Sequence, residues 1–231
     1  MTLVAISQSN YLPWRGYFAQ IAQADHFVFL DNVQFTKRDW RTRNRIKTPN
    51  GLSWLNVPIQ KPEIGAIISQ IVISDPNFRF HHLETIRRNY REAKHFEDYW
   101  GWFEGIFLTN KSESLSLFNI HWVQEISKLL GLSTQFHMAS DFKTEIEPTH
   151  RLLSICQELR ASEYLTGPSA QSYLRQSLFL EEDIEIKWMN YNFFEYTQLW
   201  GDFQPTVSII DLIFNVGIDH LYLRADFDDE R

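Results

Sequence analysis

The period of the hydrophobic positions changes along the chain and divides it into elements. Residues 3–7 (LVAIS) form the short, continuous apolar run of a buried strand. Residues 16–24 place Phe18, Ile21 and Ala22 on one helical face, and residues 26–30 (HFVFL) return to a strand. This β-loop-α-β opening predicts parallel pairing through a right-handed crossover. Residues 43–48 and 52–59 flank Pro49-Asn50-Gly51, and an Asn-Gly pair between two strand-like runs predicts a hairpin. Residues 67–73 are a further strand candidate.

The middle of the chain has helical period over 78–94, 96–107 and 115–130, with Gly131 as the terminator. Strands follow at 134–138, 164–166 and 184–189, with a helix at 150–159. A last helix, 208–216, takes Ser208 as N-cap, Asp211 as its capping-box partner and Gly217 as terminator. Together these elements predict an α/β fold: one domain over 1–231, with a mostly parallel sheet, a hairpin and a helical insertion at about 77–131. No internal repeat or linker divides it.

Composition narrows the class. The chain has 231 residues, 9 Gly and a single Cys. Collagen-like and low-complexity readings are out, and no intrachain disulfide framework is possible. No uncharged apolar run approaches the roughly 18 residues of a membrane span. The N-terminus lacks a basic region and a cleavage site, so no secretory signal is expected, and a cytoplasmic location is. A net charge of −7 argues against nucleic acid as a partner. That charge is uneven. Six cations from Lys37 to Lys47 stand against Asp39 alone, giving +5 there and −12 elsewhere. The dense run lies between Trp40 and Trp54 and suits an anionic ligand, although a hairpin with outward basic side chains explains it equally well.

In an open α/β sheet, ligands bind beyond the carboxyl ends of the strands. Three segments are expected there. The first, 8–14, offers Gln8, Asn10 and Tyr11 as neutral partners, with Trp14 and Tyr17 available for stacking. Gly16 would permit close approach of an anion to a helix N-terminus. The second, 31–40, holds Asp31 and Gln34, with Lys37 and Arg38 placed to clamp a diphosphate and Arg43 just beyond. Asp31 reads as a base, as a holder of a sugar hydroxyl, or as a turn cap with Asn32. The third is Gly167-Pro168-Ser169, contributing Gly167 and Ser169.

The runs NYLPWRGYF, FVFLDNVQFTKRDW, RNRIKTPNG and WLNVP, with YLTG at 164–167, Tyr173 and SIIDLIFNVG at 208–217, resemble the WbqC-like family of bacteria. The resemblance covers most of the chain. It implies association with O-antigen and other surface-polysaccharide gene clusters, and with a protein partner from that machinery. The family commonly opens with His-Gln-Pro-Asn, where this chain has Ser7-Gln8-Ser9-Asn10. Trp14-x-Gly16-Tyr17 is also placed like the H-x-G-H motif of nucleotidylyltransferases, which would suggest a HUP-like core. Both of that motif's histidines are aromatics here.

The other chemical candidates are few. Cys156 lies in a core stripe with Leu152 and Leu159. His81 and His82 point about 100° apart and cannot chelate together, but His82 serves as a general base if its helix closes over the pocket. No metal-binding motif occurs and no cofactor is implied. Ser208, Asp211 and Asn215 form a polar stripe on an apolar helix, read either as a cap with a structural network or as support beneath the pocket. The sequence therefore predicts a transferase acting on a small anionic or nucleotide-linked sugar, with Asp31 and His82 as its catalytic groups. The alternatives are a non-catalytic sugar-nucleotide-binding or scaffold protein and a nucleotidylyltransferase.

Overall fold

A computed structural model describes residues 1–219 and Leu223. The remainder of the single domain expected over 1–231 lies outside the described residues. The strands are β1 (Leu3–Ser7), β2 (His26–Phe29), β3 (Arg43–Thr48), β4 (Gly51–Asn56), β5 (Gln135–Met138), β6 (Glu163–Thr166) and β7 (Glu185–Trp188). The helices are α1 (Arg15–Gln23), α2 (Phe78–Tyr90), α3 (Phe96–Thr109), α4 (Leu115–Leu129), α5 (Pro148–Glu158), α6 (Gln176–Glu181) and α7 (Ile209–Val216).

Five strands form one parallel sheet in the order β5-β2-β1-β6-β7. The chain builds outward from β1 through β2 to β5, then crosses back to lay β6 on the other side of β1. Strand order therefore reverses between β1 and β6. In a doubly wound sheet that reversal opens a crevice at the strands' carboxyl ends, because the flanking connections leave on opposite faces.

Side-chain alternation divides the core into two layers. Ala5, Phe27, Phe29 and Leu165 face one side, where α1, α2, α3, α4 and α7 cover them. Val4, Ile6, Val28 and Tyr164 face the other, against Leu152, Ile155 and Cys156 of α5 and Phe179 of α6. Burial pushes the Cys156 thiol well above its usual range, as its core stripe predicts. The antiparallel hairpin β3–β4 and helices α2 to α4 all lie within the β2-to-β5 connection. No helix among the described residues is long and apolar enough to cross a membrane.

Three elements differ from expectation. Residues 67–73 are not a strand but a short turn of 3₁₀-helix at Ile68–Gln70 with isolated bridges. Their backbone N–H groups serve separate partners, Ile68 donating to Val33, Ser69 to Asp31 and Ile73 to Glu113, so no ladder forms. Helix α2 stops at Tyr90, short of residue 94, and α6 follows a stretch with no expected element. The capping box on α7 is also absent. Ser208 Oγ accepts from Ile210 N, but the Ser208 N–H is already committed to the Arg45 carbonyl. Asp211 is instead fully buried and accepts from the Tyr90 hydroxyl at 2.7 Å and the Tyr196 hydroxyl at 2.8 Å.

Tyr90 also accepts from Lys47 N of the hairpin, so one carboxylate connects α7, α2, β3 and the segment before α7. Burial raises the Asp211 pKa, and the two tyrosyl donors and the Lys47 ammonium pull it back. Replacing Asp211 with Ala strands two buried hydroxyls. We expect Asp211→Ala to cost about 3 kcal/mol in urea denaturation, and Asp211→Asn less, since it keeps an acceptor. An unchanged urea midpoint in Asp211→Ala would show that the network carries no stability.

Candidate functional site

The loop after β1 is fixed by one buried carboxylate. Asp31, at the end of β2 and 1% exposed, accepts from Ser9 N at 2.8 Å, from Ser9 Oγ at 2.6 Å and from Ser116 Oγ of α4. The rest of the loop is clamped just as closely. Asn44 donates to the Leu12 carbonyl at 2.7 Å and to that of Tyr11 at 3.3 Å, while Tyr11 N donates to the Trp40 carbonyl. Leu12 takes φ +40°, a left-handed conformation that a branched side chain rarely adopts without such support.

Between the carboxyl ends of β1 and β6, where strand order reverses, lies a cavity of about 520 Å³. Its polar walls are Ser7, Gln8, Gln20, Gln34, Thr166 and Ser169, with Arg41 and Arg151 as cations. Tyr164, Tyr173 and Tyr191 give it aromatic surface. Gln8 is held in place because Tyr17 donates its hydroxyl to the Gln8 carbonyl at 3.0 Å. Arg41 is bound to Asp39 at 2.6 Å, and burial lowers its pKa while the Asp39 and Asp31 carboxylates oppose that shift. Arg151 spends its donors on the neutral carbonyls of Glu145 and Ile146. It has no ion pair among the described residues.

The candidates from the sequence separate into four groups. Gln8, Gln34, Gly167 and Ser169 meet at this cavity. Asn10, Trp14 and Trp40 line a smaller slot of about 210 Å³ with Pro13, Asn44 and Thr206. Lys37, Arg38 and Arg43 line a third cavity of about 320 Å³. Asp31, Tyr11, Tyr17, Gly16 and His82 are buried and line none of these three. Gly16 is needed for a reason other than ligand approach. A Cβ there would meet the Trp14 indole at 2.3 Å, so the space over the helix start belongs to an indole. Trp14 in turn packs on Tyr191 and Phe193.

His82 sits among Phe78, Phe118 and Tyr11, and its Nδ1 lies 2.6 Å from the Tyr11 hydroxyl. Burial lowers its pKa to about 4, only partly offset by a hydrogen bond to the Asn56 backbone. It is therefore neutral near pH 7 and holds the β1–α1 loop through Tyr11. Sequence reasoning did not single out Ser7, Gln20, Arg151, Thr166 or Tyr191 as site residues. Arg151 and Tyr191 reach the cavity from positions distant in sequence, with no local motif to mark them. Arg41 was visible only as a member of the basic run.

A model of the WbqC-like protein family matches residues 8–222. A Mycobacterium tuberculosis (strain ATCC 25618 / H37Rv) protein named Uncharacterized protein Rv1507c is 43% identical over 221 residues, covering 95% of this chain and 96% of that protein. No solved structure matches.

A histidine with pKa about 4 when folded and about 6.5 when unfolded binds its proton earlier in the unfolded state, so stability is lost as pH falls through that window. The full loss for His82 is about 3 kcal/mol. Thermal melts at pH 7 and pH 4 should show a smaller fall for His82→Gln than for the wild type. Equal falls would mean that His82 titrates as it does in water.

Proposed function

The chain belongs to the WbqC-like protein family, and we propose that it is a transferase acting on a nucleotide-activated or otherwise anionic sugar in surface-polysaccharide synthesis, with the ligand seated at the β1/β6 crevice. The observation that carries this reading is the cavity itself. It lies where doubly wound sheets bind ligands, it is lined by neutral amides and hydroxyls, and it holds Arg151, which has no ion pair among the described residues. Gln8, Gln34, Thr166 and Ser169 are suited to sugar hydroxyls, because each donates and accepts. Arg151 and Arg41 are suited to the anionic end. Tyr173 and Tyr191 offer ring faces to a base or a sugar. The resemblance to relatives opening with His-Gln-Pro-Asn supports the placement, because Ser7 lines this cavity where those relatives carry histidine. A polysaccharide-biosynthesis protein is the partner this role requires.

One observation favours a second reading. Among the described residues, the cavity lining contains no carboxylate, histidine, cysteine or lysine. Asp31 is saturated by three donors in the interior, and His82 is sealed behind Tyr11. General acid–base transfer needs a group that reaches the substrate, so a protein that holds a sugar nucleotide without turnover fits the same lining. The nucleotidylyltransferase reading has the weakest support. Trp14 and Tyr17 stand in its motif positions, and neither supplies positive charge to a phosphoryl group.

A thermal-shift panel of nucleotide sugars, paired with product analysis, separates these readings. At millimolar ligand we expect at least one member to raise the melting temperature by several degrees. Gln8→Ala and Arg151→Gln should each remove most of that shift. No stabilisation by any member sinks both sugar-nucleotide readings, whereas stabilisation without any product selects the binding protein. Pyrophosphate release from a nucleoside triphosphate and a sugar phosphate would instead select the nucleotidylyltransferase.

A further inference from the structure

The basic run does not serve the switch-point cavity. Lys37, Arg38 and Arg43 converge with Lys61 on the separate cavity of about 320 Å³, which shares no lining residue with the first. Thr42, Asn56 and Gln60 supply neutral polar groups there, and Phe35, Val57, Ile59 and Pro62 form an apolar floor. We propose that this cavity is a second binding site, for a compact ligand carrying adjacent phosphate groups, chemically a diphosphate.

Four cations share one concavity, and no carboxylate among the described residues lines it. None of the four forms an ion pair among the described residues, although the body of the chain is strongly acidic. Surface cations in an acidic protein ordinarily acquire acidic neighbours, as Lys128 does with Glu125 and Lys187 with Glu163 and Glu185. Like charges held around one hollow repel, so the arrangement costs stability unless an anion occupies it. Two features keep the cations in place. Arg38 adopts φ +59°, a left-handed conformation that a non-glycine residue holds at some cost, of the kind found at functional sites. The Arg43 guanidinium lies 4.2 Å from the Trp54 ring centroid, and its Nε is buried without a hydrogen-bond partner.

Four cations around a hollow of this size match a group with several charges on neighbouring centres. The same chemistry arrives either as a free diphosphate or as the diphosphate headgroup of a prenyl lipid. Trp40, Leu52 and Trp54 stand 38–43% exposed on and beside the adjoining hairpin, which makes the two sources experimentally separable.

Calorimetric titration of the full chain with inorganic pyrophosphate tests the site. The wild type should bind. The triple variant Lys37→Gln/Arg38→Gln/Lys61→Gln should bind on the order of 100-fold more weakly, and Gln8→Ala, confined to the other cavity, should bind as the wild type does. All three substituted side chains are exposed, so the variant should melt as the wild type does, and melting curves check that it is folded. Undiminished binding in the folded triple variant overturns the proposal. So does loss of binding in Gln8→Ala, which would place the anion at the switch point.

In a second arm, phosphatidylcholine vesicles doped with a prenyl diphosphate are compared with plain phosphatidylcholine vesicles, with tryptophan emission as the readout. A blue shift only with the doped vesicles, reversed by pyrophosphate, supports the site and identifies a lipid headgroup as its source. Pyrophosphate binding without any vesicle effect supports a soluble ligand. Vesicle binding without pyrophosphate binding overturns the diphosphate site in favour of general surface attraction. Because the probe is pyrophosphate, failure here leaves the sugar-nucleotide reading of the first cavity standing, and the reverse also holds.

Discussion

A charge in the interior, held only by neutral donors, sets the geometry of everything at the carboxyl ends of the strands. Asp31 ends β2 and reaches both the β1–α1 loop and the start of α4, through Ser9 and Ser116. A carboxylate out of water needs every acceptor position used, and here each oxygen finds a partner on another element. Ser9 supplies two of the bonds, one from its backbone N–H and one from its hydroxyl. Gln8, next along the chain, inherits that rigidity and gains the Tyr17 bond.

The segment from Asp31 to Arg43 then acts as a partition. Val33, Gln34 and Arg41 look into the switch-point cavity, while Phe35, Lys37, Arg38, Thr42 and Arg43 look into the basic one. Asp39 separates their electrostatics by neutralising Arg41 alone. The first cavity is thus mildly positive and rich in neutral donors, and the second is strongly positive. A charge count along the sequence saw one cluster of six cations. Folding distributes it over two walls, with Arg45 and Lys47 spent on the segment before α7.

The middle of the sheet was legible in the sequence because β1, β2 and β6 are short and mainly apolar, and buried strands leave that signature whatever covers them, while the edge strand β7 was legible through its alternation. The hairpin was legible through Asn50-Gly51. Residues 67–73 misled because isoleucine spacing reports burial, and burial here comes without a ladder. The candidate site was legible in position but not in exposure. Loops at the strand ends could be named, yet nothing local distinguishes Gln8, which faces the cavity, from Tyr11, which is sealed beside His82. Arg151 and Tyr191 were illegible because only the tertiary fold brings them to β1.

The polar stripe on α7 shows how little separates a structural carboxylate from a functional one in sequence. Asp31 and Asp211 are both buried, and both are surrounded by hydroxyl donors from distant elements. Asp211 binds the helices to the hairpin, and Asp31 binds the site loop to the sheet. Their difference lies in what stands on the far side of the donors. Behind Tyr90 and Tyr196 is packed core, whereas the residue beside Ser9 opens onto solvent through Gln8. An aspartate in such a place needs no contact with a ligand to control it, because moving Ser9 moves Gln8. The two carboxylates therefore do the same physical work, and only one of them stands beside a residue that lines the switch-point cavity.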